Sequence, residues 1–87
     1  RLAFDSRDPK LAIRFYDAIL GRDPIDEEAV RGIMRCHAAL GDTNAVRRTY
    51  KALITALRHE LEDDGAEPLP ETTALLHELA GQRAPAK

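Results

Sequence analysis

Apolar side chains recur every three to four residues along most of this chain, the spacing of one helical face, in runs broken by Gly, Pro and Asp. Asp8-Pro9 reads as a helix start, with Asp at the cap and Pro at the first helical position, where its missing N–H costs nothing. Leu11, Ala12, Phe15, Ile19 and Leu20 then make one apolar face. Gly21 suits a C-terminal cap and Pro24 bars continuation, which predicts a first helix from about Asp8 to Leu20. Asp26 caps a second helix, with Glu27 and Glu28 at the positive end of its dipole. Ala29, Val30, Ile33, Met34, His37 and Ala38 carry that pattern to Leu40, and Gly41 ends it. A long third helix is predicted from about Thr43 to Leu61, its apolar face made by Val46, Thr49, Tyr50, Leu53, Leu57 and Leu61, with Ile54 beside it. The stretch from Glu62 to Leu69 is acidic and turn-forming, hence a loop. Pro70-Glu71-Thr72 opens a fourth helix carrying Leu75, Leu76 and Leu79, and Gly81 closes it. Short links between the first three helices imply antiparallel neighbours. Arg1 to Asp5 reads as the tail of an upstream element, which places a single domain at residues 1–80, truncated on its N-terminal side, and a flexible tail at 81–87.

The runs also repeat. Ala12, Tyr16, Ile19 and Pro24 fall 34 residues before Val46, Tyr50, Leu53 and Arg58, and the first three pairs keep their character. That period resembles the tetratricopeptide repeat, whose second helix carries a small residue, an aromatic one turn later and a terminal Pro. The small side chain lets two helices approach, and the aromatic fills the groove between them. On this reading Tyr50 packs between the second and third helices. The first helix of the repeat departs from the pattern, with Val30, Ile33, Met34 and His37 at its marker positions, and Arg58 stands where Pro would end the helix. The expected fold is all-α, about four helices in tetratricopeptide-like antiparallel hairpins. A four-helix bundle with a coincidental period is the alternative.

Composition agrees with helices: of 87 residues 44% are hydrophobic but only 5% aromatic, and Asp42 to Asp64 holds neither Gly nor Pro. A chain this size forms one domain at most, with a thin margin of stability. The formal net charge of -2 gives no global attraction to nucleic acid or anionic lipid. No stretch approaches the apolar length of a membrane helix, and nothing near Arg1 resembles a signal peptide. The single Cys36 excludes an intrachain disulfide and suits the cytoplasm.

Three stretches carry a family resemblance. The first is Arg22-Asp23-Pro24-Ile25-Asp26-Glu27-Glu28-Ala29 with Ile33-Met34-Arg35; the second is Ala39-Leu40-Gly41-Asp42 with Val46 and Tyr50. The third is Glu60-Leu61, then Gly65-Ala66-Glu67-Pro68-Leu69-Pro70-Glu71-Thr72 and Leu75. In this order they resemble the bacterial transcriptional activator domain of SARP and AfsR-like regulators, over about Asp8 to Leu79. The resemblance implies a tetratricopeptide-like unit that regulates or dimerises a winged-helix DNA-binding domain, with DNA contact left to that domain. It implies no catalytic residues. Two positions depart from it: Glu62-Asp63-Asp64 lengthens the link before Gly65, and Arg47 replaces an aliphatic residue.

Chemistry-bearing constellations are sparse. Cys36 and His37 are adjacent and face different ways on a helix, while His59 and His77 lie on other helices, so no metal site is expected. Asp63-Asp64 lacks the spacing of a calcium loop. There is no phosphate loop, and Ser6 is the only serine, so neither an enzyme nor a cofactor is expected. Charge is the uneven feature. Arg31 to Arg58 holds six basic residues against Asp42 alone, and Glu60 to Glu71 holds six acids and no base. The plain reading is two solvated surfaces; the functional one is a basic face for an acidic partner, with Arg31, Arg35, Arg47 and Arg48 as candidate binding residues. The leading function is a non-catalytic regulatory module of a transcriptional activator, with a homodimer as partner state. A stand-alone tetratricopeptide adaptor for a peptide or protein terminus is the alternative, and the acidic total and few aromatics disfavour direct nucleic-acid binding.

Overall fold

A computed structural model describes residues 8–81. The upstream element read at Arg1 to Asp5 and the tail beyond Gly81 lie outside the described residues. Four helices follow in order: α1 (Pro9–Arg22), α2 (Glu27–Ala39), α3 (Thr43–Glu60) and α4 (Pro70–Gly81), and there is no strand among the described residues.

The first three starts share one chemistry. Leu11, Ala29 and Ala45 each donate their backbone N–H to the carboxylate of Asp8, Asp26 and Asp42, at 3.1, 3.1 and 3.0 Å. Each aspartate thereby satisfies an N–H that the first turn leaves without a partner. The stops differ from one another. Gly21 does not cap α1; the helix runs on to Arg22, and Asp23 closes it by donating to the Ile19 carbonyl at 2.9 Å. Pro24 decides this end, because its ring drives the preceding residue out of the helical region, and Asp23 accordingly sits at φ -140°.

α2 and α3 end in the same motif. After α2, Gly41 takes φ +78° and donates to Ala38, while Asp42 donates to His37. After α3, Glu62 takes φ 51° and donates to His59, while Asp63 donates to Arg58. Both are Schellman caps, and the second puts a glutamate where glycine is the unstrained choice. We expect Glu62→Gly to raise the melting temperature, since relief of a left-handed side chain (about 1–2 kcal/mol) exceeds glycine's entropic cost (about 0.5–1 kcal/mol). Gly41→Ala should lower it by a comparable amount, although nothing lies within 4 Å of the added methyl. Thermal denaturation of both variants is the check, and an unchanged midpoint in both would show that these caps carry no strain.

α2 is the centre of the fold. It packs against each of the other three helices, α3 and α4 also meet, and among the described helices α1 packs on α2 alone. Two clusters result. Val30, Met34, Val46, Leu53, Leu57, Ala66 and Leu75 join α2, α3, α4 and the loop before α4. Tyr16, Ala29, Ile33 and Cys36 join α1 to α2. On α1 the buried face is therefore Ala12, Ile13, Tyr16, Ile19 and Leu20, and not the one containing Leu11 and Phe15, which are 59% and 47% exposed. Tyr16 reaches so deep because Gly32 offers no side chain: a methyl there would come under 3.0 Å from three carbons of the Tyr16 ring.

Tyr50, 34 residues on, is placed differently from the expectation. It is half-buried beside α4, and its hydroxyl shares a 2.7 Å hydrogen bond with Thr73 Oγ1. The reason is that α3 packs on α4 as well as on α2, so the Tyr50 hydroxyl finds its partner on α4.

Candidate interaction surfaces

The basic residues of α2 and α3 separate into two groups. Arg31 and Arg58 are turned to structural use. Arg31 donates to Thr72 Oγ1 at 2.8 Å and pairs with Glu71 at 3.2 Å. Thr72 is fully buried, and its hydroxyl donates to Glu27 Oε1 at 2.6 Å. The same carboxylate accepts the Leu69 backbone N–H at 2.9 Å, so Glu27, in the first turn of α2, also anchors the start of α4. Arg58 donates from Nε to the Ala66 carbonyl and from Nη2 to Glu67, both at 3.2 Å, and holds the acidic loop against α3. An arginine thus does at this position what a helix-ending proline would not. No buried side-chain nitrogen or oxygen among the described residues lacks a partner.

Arg35, Arg47, Arg48 and Lys51 are exposed. Of these, Arg47 and Lys51 come together on one rim of a groove of about 600 Å³ between α3 and α4. Its apolar lining is Tyr50, Ile54, Leu76 and Ala80, with His77 and Gly81 on the α4 side. Arg35 and Arg48 do not line it, and Arg31 is turned to the Thr72 clasp. The four arginines singled out by charge alone therefore do not make one site. Lys51 was missed as a partner of Arg47, although the four-residue spacing on α3 is the signal that shows it.

A second groove, of about 470 Å³, runs between α1 and α3 over α2, with Ile13, Leu20, Ile33 and Ala56 among its apolar walls and Asp17 and His37 among its polar ones. Cys36 lies beneath the surface, and burial pushes its thiol above the ordinary range, so it stays a neutral thiol. His59 and His77 are exposed on different helices, and among the described residues no cluster of three or more His, Cys, Asp or Glu is placed to hold a metal ion. No helix among the described residues is long and apolar enough to cross a membrane.

The family model of the bacterial transcriptional activator domain matches residues 4–80. The chain belongs to that family. Neither a search of curated proteins nor one of solved structures gives a match. Membership places this bacterial transcriptional activator domain among regulatory domains of transcription. The match ends one residue before Gly81, so it takes in all of α1, α2 and α3 and nearly all of α4, including both walls of the α3/α4 groove.

Proposed function

We propose that this bacterial transcriptional activator domain is a non-catalytic, cytoplasmic regulatory module that works by self-association, and so controls a DNA-binding domain with which it acts. The observation that carries this reading is the outer face of α1. Among the described helices α1 rests on α2 alone, and Leu11 and Phe15, one turn apart, stand exposed on it. Phe15 is held in place by an edge-on contact with the buried Tyr16, ring centroids 5.5 Å apart. A fixed apolar stripe on a helix invites a second helix, most simply across a twofold axis. No DNA contact is assigned to this domain, since its exposed arginines are scattered and its net charge is -2.

The test is sedimentation across a concentration series. The chain is expected to associate, and the paired variant Leu11→Glu with Phe15→Glu to sediment as a monomer with little change in melting temperature, because both side chains already face solvent. A chain that stays monomeric at high concentration would remove the basis for this reading.

A further inference from the structure

We propose that the α3/α4 groove is a docking site for an acidic amphipathic helix of a partner protein, a surface separate from the α1 face. The groove offers an apolar floor of Tyr50, Ile54, Leu76 and Ala80 beside the cationic rim of Arg47 and Lys51, and no acid among the described residues lines it. From Arg47 to Ile54 it covers about two helical turns, roughly 10 Å at 1.5 Å per residue. That is the length over which a guest helix presents apolar anchors one turn apart. Neither the Arg47 nor the Lys51 side chain makes an ion pair or hydrogen bond with another described residue, in contrast to Arg31 and Arg58. Two unpaired cations four residues apart along one wall call for carboxylates along one flank of the guest.

Charge also decides against a second copy of this chain as the occupant. The exposed apolar stripe of α1, Leu11 and Phe15, is flanked by the exposed Lys10 and Arg14, which Arg47 and Lys51 would repel. The acidic run after α3 has the right sign but the wrong shape. Glu67 and Glu71 are already paired with Arg58 and Arg31, Asp63 accepts the Gly65 N–H at 2.9 Å, and Leu61 is the one exposed large apolar side chain between Glu60 and Asp64. One leucine at a helix cap does not make a two-turn ridge. Residues 82–87 carry Arg83 and Lys87 and no acid, which is the wrong sign.

The experiment uses fluorescence anisotropy with a labelled synthetic peptide: leucines at helical one-face spacing, glutamates elsewhere, and a control with each glutamate changed to lysine. The full chain is expected to bind the glutamate peptide and not the lysine peptide, with binding weakened by added salt. Arg47→Glu with Lys51→Glu should weaken binding by about tenfold or more, while Arg35→Glu, away from the groove, should not. All three positions are exposed, so circular dichroism of the variants should match the parent. Absence of binding, equal binding of the lysine peptide, or equal weakening by Arg35→Glu would overturn the proposal. So would conversion of an associating chain to a monomer by the Arg47/Lys51 reversal, since the groove would then be a contact between copies. The Leu11/Phe15 variant tests the α1 reading and should leave peptide binding unchanged, so the two fail separately.

Discussion

Gly32→Ala is expected to destabilise the domain, against the direction that helix propensity alone would give. Replacing a glycine inside a helix by alanine normally gains about 1 kcal/mol. Here the new methyl would fall on the Tyr16 ring, which is only 7% exposed and fixed between α1 and α2. A planar ring cannot fold its far end out of the way, so α1 must slide on α2 and the cluster of Ala29, Ile33 and Cys36 must open with it. Overpacking of this kind costs about 1–3 kcal/mol, and the rigid neighbour places this case at the upper end. The net loss of about 2 kcal/mol corresponds to roughly 10 °C in the midpoint for a domain this size. Tyr16→Ala alone should cost about 3 kcal/mol or more. In the Gly32→Ala background, Tyr16→Leu should recover part of the loss, which a double-mutant cycle reads as coupling. A higher midpoint for Gly32→Ala would show that the ring yields freely and that the close approach of α1 to α2 has been misjudged.

The second large effect is expected at Glu27. Its carboxylate accepts from the Leu69 N–H and from the Thr72 hydroxyl, and Arg31 donates to that same hydroxyl. Glu27→Ala leaves the Leu69 N–H and the buried Thr72 hydroxyl without an acceptor, and costs about 2 kcal/mol, mostly at Thr72, since the exposed Leu69 N–H can turn to water. The Arg31–Glu71 pair adds little by itself, since the Glu71 side chain is 68% exposed even though that of Arg31 is not. The loss should be local. Amide exchange should accelerate along α4 first, while the α1–α2 amides stay protected until global unfolding. Thr72→Val, which keeps the shape and removes the hydroxyl, should produce a smaller version of the same pattern. Uniform acceleration across all four helices would mean that this clasp is part of a single cooperative core and not a separate anchor for α4.

How much of this was legible in the sequence depended on distance along the chain. Asp26 and the Asp8-Pro9 start announce helix ends because a cap acts on residues two or three positions away. Asp42 acts in the same way, although only the helix beginning near Thr43 was read. The end of α1 was misplaced at Gly21 because a glycine is permissive and obliges nothing, whereas Pro24 restricts its neighbour outright. The glutamate cap at Glu62 carried no signal, since nothing local marks a glutamate that must adopt a left-handed backbone. On α1, Leu11 and Phe15 fit the helical period as well as Ala12, Ile13 and Tyr16 do. Period alone cannot say which of two overlapping faces is buried.

Candidate binding residues were read from charge density, and charge density does not distinguish a free arginine from a committed one. Arg31 is committed because Thr72 and Glu71 are brought to it from 40 or 41 positions along the chain, and Arg58 because the loop folds back with Ala66 and Glu67. Arg47 and Lys51 were left to form a rim because α4 lies across α3 at Tyr50 without filling the space beside it.

The four helices, most of their ends and the family are written along the chain, because caps, periodicity and short motifs act through nearest neighbours and survive in one dimension. Which face of α1 is buried, which arginines remain available and where a groove opens follow only from the packing of the helices. Those outcomes depend on which side chain meets which across helices. A glycine at position 32 that admits a ring from position 16, and a glutamate at 27 that meets the backbone of 69, are contacts that no local rule requires.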